Sequence, residues 1–132
     1  MEEVRWEVPG QLLRVARHER SRPRASEGLE EGDLVAVRVE ELYALSAQGL
    51  TRVFAQVTEA RVGSGRAGVE VRVSNQGREV QVSEAHLEGL SRDELTRALP
   101  ARPGVTPLLG ADGLGRARRY VRGGGEYTLT RR

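Results

Sequence analysis

Arg14, Arg17, His18, Arg20, Arg22 and Arg24 crowd one stretch of this chain, and Arg116, Arg118, Arg119 and Arg122, with Tyr120 among them, crowd a second. A guanidinium stays charged at every physiological pH and offers five N–H donors in a planar fork that matches a phosphate or a carboxylate. If both stretches reach one edge once folded, they form an electropositive groove with an aromatic stacking platform at Tyr120. Sequence-tolerant binding of single-stranded nucleic acid requires such a groove. The same arginine density would equally serve ion pairs across an interface with a protein partner.

Two glycine-rich stretches invite a phosphate reading. Gly63-Ser64-Gly65-Arg66-Ala67-Gly68 matches G-x-G-x-x-G letter for letter, but that fingerprint works by opening a helix whose N-terminus holds a pyrophosphate. The residues that follow, Val69-Glu70-Val71-Arg72-Val73, alternate as a strand, so a hairpin loop is expected here and no dinucleotide. Gly110-Ala111-Asp112-Gly113-Leu114-Gly115 precedes Arg116, Arg118 and Arg119, and backbone donors beside arginines can cradle an anion. It lacks the lysine and the Ser/Thr of a P-loop, and loop flexibility accounts for its glycines.

No set of catalytic residues emerges. His18 and His86 are the only histidines, neither has a partner nearby in sequence, and no H-x-x-x-H spacing occurs. The chain contains no cysteine, which removes disulfides, thiolate nucleophiles and thiolate metal sites together. Glu27, Glu30, Glu31 and Asp33 lack the alternation of a calcium loop and read as a solvated acidic run. No metal and no cofactor is expected.

With 132 residues, 38% of them hydrophobic and 30% charged, the chain has the size and composition of one globular domain. Its apolar runs, such as Leu34 to Val37, are far too short to span a bilayer. Met1 to Trp6 is acidic where a signal peptide would be basic, so a cytoplasmic location is expected. The net charge of +2 is unevenly spread. Residues 25–43 hold six acids against Arg38 alone, whereas residues 101–132 hold seven arginines against Asp112 and Glu126. Neutralisation of one block by the other is the plain alternative to a ligand.

The elements that must position these side chains follow from periodicity. Val4, Trp6 and Val8 alternate with charges as a first strand, closed by Pro9-Gly10. Leu12, Leu13, Val15 and Ala16 suit a short helix over Leu12 to Arg20, with a strand as the competing reading. Ser21 to Gly32 is expected as an exposed loop. Leu34 to Leu45 and Leu50 to Val62 flank Ser46 to Gly49 as a hairpin, and helix over Arg38 to Gln48 competes with it. Val69, Val71 and Val73 face Val80 and Val82 across Asn75-Gln76-Gly77 in a second hairpin with one dry face. Ser83 to Leu90 reads as a short helical turn. Ser91-Arg92-Asp93-Glu94 is a capping box that opens a helix over Arg92 to Leu99. Pro100, Pro103 and Pro107 then hold a loop to about Gly115. Arg116 to Arg122 and Glu126 to Thr130 close the chain as a last hairpin, or as a strand and a flexible tail from about residue 123.

Two resemblances accompany this reading. Gly32 to Ala36, Arg52 to Val57, Val71 to Gly77 and Ala85 to Leu90 are similar in strand order to small SH3-like barrels of the Tudor kind. Tudor domains bind methylated cations in an aromatic cage, but Arg52, Val53 and Gln76 stand where aromatics would be needed, so the resemblance implies topology and no binding residues. All 21 basic residues are arginine, and isoleucine is missing. In this the chain resembles small domains from thermophilic bacteria with GC-rich genomes.

The expected fold is α+β: an antiparallel meander of five or six strands covered by two or three short helices, with an SH3-like barrel bearing added elements as the alternative. The expected function is a non-enzymatic binding module that contacts nucleic acid through Arg14, Arg17, Arg20, Arg116, Arg118, Arg119, Tyr120 and Arg122. A protein-binding or homodimeric subunit, pairing through an exposed sheet edge or the tail strand, is the alternative. An enzyme holding an anionic substrate at Gly110 to Arg119 ranks below both.

Overall fold

Alternation of apolar and polar residues governs almost the whole chain, and the computed structural model accordingly consists mainly of strands. It describes residues 2–21, 35–99, 102–123 and 125–130. Strands β1 (Glu2–Val8), β2 (Leu12–Ser21), β3 (Val35–Ser46), β4 (Gly49–Val62) and β5 (Gly65–Gly68) run antiparallel in chain order, and β8 (His86–Glu88) adds to β5. A second antiparallel sheet has the order β10-β9-β7-β6, from β6 (Val71–Ser74), β7 (Glu79–Val82), β9 (Arg118–Val121) and β10 (Thr128–Leu129).

The expectation of an α+β meander with two or three helices is therefore corrected. The described residues form ten strands in two sheets and one α-helix, α1 (Arg92–Ala98). The stretch expected as a helix from Leu12 is strand β2. Its register against both β1 and β3 satisfies the backbone on two sides, which outweighs a local pattern that fitted either period. The turn expected over Ser83 to Leu90 is the short edge strand β8. Helix α1 follows its capping box: Ser91 Oγ accepts from the Glu94 N–H at 3.1 Å, and Glu94 Oε1 accepts from the Ser91 N–H at 3.2 Å. The β3–β4 and β6–β7 hairpins lie where the sequence placed them. In the second, Asn75, Gln76 and Gly77 all take positive φ, the conformation that a tight reversal demands. Of the exposed loop expected over Ser21 to Gly32, Ser21 is instead the last residue of β2, paired with Val35, and the rest, with Arg22, Arg24 and the acidic run from Glu27 to Asp33, lies outside the described residues.

One hydrophobic cluster joins the two sheets, with Val39, Leu42, Val80, Leu95 and Leu108 among its most buried members. Phe54 of β4 meets Tyr120 and Tyr127 edge-on, with ring centroids 5.2 and 5.8 Å apart. These contacts fix β9 and the segment before β10 against the larger sheet. The segment after α1 crosses back to β4, where Thr106 forms a parallel bridge with Gln56.

Candidate anion-binding groove

On the four-stranded sheet, Val71, Val80, Val82 and Tyr120 face the core, so alternation turns Arg72, Gln81 and Arg119 outward. Register aligns these three in one row, Arg72 opposite Gln81 and Gln81 opposite Arg119. Thr130 extends it, its N–H donating to the Arg119 carbonyl at 2.8 Å. Glu70, Ser83, Arg116 and Arg118 complete the lining of an open groove of about 980 Å³. Among the described residues, four of those lining it are arginines and one is acidic.

The eight residues selected from sequence divide four ways. Arg116 and Arg119 reach the groove, and Arg119 Nε also pairs with Glu79 Oε1 at 2.9 Å beside it. Arg122 lies past the end of β9, where its N–H donates to the Arg78 carbonyl at 2.9 Å and its Nε to the Gly125 carbonyl at 2.6 Å.

Arg118 and Tyr120 are structural anchors. Arg118 Nε donates to Tyr120 Oη at 3.1 Å, Nη1 to the Arg116 carbonyl at 3.1 Å, and Nη2 to Gln56 Oε1 at 3.2 Å and the Leu108 carbonyl at 3.3 Å. Tyr120, Gln56 and Leu108 are all buried, so this guanidinium is turned to the inner side of the sheet, away from the outer face that Arg119 occupies. The Tyr120 ring packs in the core and offers no stacking platform. The anion cradle considered over Gly110 to Gly115 is likewise occupied: a Cβ on Gly110 would lie 2.9 Å from Arg118 Nη1.

Arg14, Arg17 and Arg20 belong to the other sheet. Arg14 is buried, with Nη1 donating to Glu40 Oε1 at 2.8 Å, Nε standing 2.6 Å from Glu7 Oε1, and Nη2 donating to the Val71 carbonyl at 2.9 Å. Arg17 points to the opposite face of β2, where its Nε lies 3.2 Å from Glu41 Oε1. Glu41 also accepts from Arg52 Nη1 at 2.9 Å, and this hydrogen bond raises the Arg52 pKa above its ordinary value. Arg20 is exposed near the end of β2.

The two arginine stretches thus sit on different sheets. A second groove, lined by Arg5, Arg14, Arg38, Glu7, Glu40 and Glu59 among others, shares Glu70 and Arg72 with the first. Its four arginines face four glutamates, so it is balanced where the first is basic. Arg72 was not among the sequence candidates. Its signal was present all the same, as a charged residue between two valines of a strand with one dry face.

Among the described residues, no cluster of three or more His, Asp or Glu could hold a metal ion, and no helix is long and apolar enough to cross a membrane. No family model, no curated protein and no solved structure matches this chain.

Proposed function

We propose that this chain is a non-enzymatic binding module that holds the sugar-phosphate backbone of a nucleic acid across the outer face of its four-stranded sheet. One observation carries the reading. Among the described residues, the groove on that face draws Arg72, Arg116 and Arg119 from two strands and a loop, with Glu70 in its lining and Glu79 paired to Arg119 beside it. Gln81 lies between Arg72 and Arg119 and supplies a neutral hydrogen-bonding group. No aromatic side chain lines the groove, so bases have nothing to stack on. Contact with phosphates alone makes binding indifferent to sequence.

Phosphate contacts release counterions, and the affinity of such a module falls as salt rises. Arg118 is tied to its neutral acceptors, which leaves for the ligand Arg72, Arg116 and those N–H groups of Arg119 that its pairing with Glu79 does not use. Three contacts to a single strand give a slope of about −2 in log K against log salt. Fluorescence anisotropy with homopolymeric DNA and RNA oligonucleotides, titrated between low and physiological salt, measures it. The expected result is a slope near that value, similar for different homopolymers, and shallower after Arg72→Ala. Binding without a salt slope, or retained unchanged in the Arg72→Ala/Arg116→Ala double variant, would overturn the reading.

A further inference from the structure

The six-stranded sheet ends in β1, which among the described residues is paired on one side only, with β2. Its other side presents a row of backbone donors and acceptors, the ordinary template for strand addition. Beside that edge lies exposed apolar surface. Val4 and Trp6 are 58% and 46% exposed. Register sets them opposite Val15 and Leu13 of β2, and Leu13 opposite Tyr43 of β3. Leu45 follows on the same face opposite Leu50, and both are exposed. The other end of this face, at Val37, is covered by α1 and residues 105–109. The uncovered end is a contiguous apolar strip that reaches the open edge, unlike the scattered apolar residues of an ordinary surface.

We infer that a second copy of this chain adds to β1, strand against strand, giving a twofold dimer with a continuous twelve-stranded sheet and a joined apolar strip. The charge pattern of β1 selects the partner and the register. Antiparallel neighbours share a face, so only registers that keep Val4 and Trp6 on the same side in both copies are allowed. A twofold at Arg5 would set Arg5 against Arg5 and Glu3 against Glu7, which repel. A twofold at Trp6 would need Glu7 and Val8 in regular pairing, but the strand is bulged between Trp6 and Val8, and Val8 packs against the core. A twofold at Val4 sets Val4 against Val4 of the second copy and, twice each, Glu3 against Arg5 and Glu2 against Trp6 of the second copy. Both charged groups have capacity to spare. Arg5 is bonded within its own chain through Nε, to Glu7 at 3.1 Å, and Glu3 through Oε2, to Arg38 Nη2 at 3.0 Å. Both bonds lie on the exposed surface.

Sedimentation equilibrium of the full chain over a wide concentration range tests this, read together with the emission of Trp6, its only tryptophan. The expected result is a mass rising to twice 14.5 kDa, with the emission shifting to the blue over the same range. Glu3→Arg and Arg5→Glu each weaken association about tenfold by placing like charges opposite one another, and the Glu3→Arg/Arg5→Glu double variant regains it. Thermal melts of the variants at low concentration establish that each is folded. A monomer at every concentration overturns the inference. Single variants that associate as well as the native chain, or a double variant that fails to recover, overturn the register and with it the choice of β1 as the interface.

Discussion

Arg14 of β2 donates from Nη2 to the Val71 carbonyl of β6 at 2.9 Å, a direct polar tie between the two sheets. The same guanidinium answers Glu7 and Glu40, and its side chain and that of Glu40 are almost wholly withdrawn from solvent. Truncating it leaves buried carboxylates without a counter-charge and a carbonyl without a donor. Losses of this kind cost about 3 kcal/mol or more. Arg14→Met is expected to lower the urea midpoint accordingly, and Arg14→Met/Glu40→Gln to recover part of the loss because one orphaned charge is gone. Equal stabilities for the single and double variants would show that the charge is not what matters here.

The strands most visible in sequence were those with turn chemistry and alternation in agreement. The β6–β7 hairpin and α1 with its Ser91 cap are examples, since each is decided by residues a few positions apart. Strand β2 was not legible. Leu12, Leu13, Val15 and Ala16 fit a helical stripe as well as they fit a strand between two neighbours, and only those neighbours decide. The consequence for the candidate site is direct. A helical period brings residues 14 and 17 to one face, whereas the strand's period of two sends Arg14 to one side and Arg17 to the other. The pairing of Arg14 with Glu40 joins residues on neighbouring strands, and that of Arg17 with Glu41 does likewise. No reading of charge along the chain reveals such pairs. Tyr120 was misplaced for a related reason: its position among arginines suggested exposure, but β9 turns every second residue into the core.

Gly110 takes a φ of +82°, and Arg118 lies against it where a side chain would be. Gly110→Ala is therefore expected to strain the backbone and push the guanidinium off Gln56 and the Leu108 carbonyl, at about 1–3 kcal/mol. Arg118→Met removes the same bonds without touching the loop backbone. If Arg118 is what the glycine accommodates, adding Gly110→Ala to Arg118→Met costs distinctly less than Gly110→Ala alone. A double-mutant cycle by chemical denaturation measures this, and strict additivity would count against the arrangement.

Burial holds the Tyr127 phenol above the ordinary tyrosine value of 10.0, and its hydroxyl donates to the Gly77 carbonyl. Tyr43 is shifted the same way, by burial first and then by the Glu41 carboxylate. A phenol that ionises less readily when folded contributes stability that is complete below 10.0 and declines as pH rises through the folded value. Stability is expected to fall with pH above 10, and Tyr127→Phe to flatten that fall while lowering stability at neutral pH by about 1 kcal/mol, the net worth of one hydrogen bond. Denaturant titrations at a series of alkaline pH values give both quantities.

Arg72 and Arg17 offer the sharpest contrast for the polyanion reading, because both are arginines on strands and only one lines the basic groove. Arg17 sits on the far sheet with Glu41 and Glu19 within ion-pair distance. Arg72 is exposed on β6 and faces the row of Gln81 and Arg119. Arg72→Ala is expected to weaken oligonucleotide binding several-fold and to make its salt slope shallower by about 0.7, the share of one single-strand phosphate contact. Arg17→Ala removes the same formal charge and should leave both affinity and slope almost unchanged, because its field is cancelled locally. Anisotropy titrations of the two variants side by side decide the matter. Equal losses would mean that net charge binds the polyanion and the groove does not.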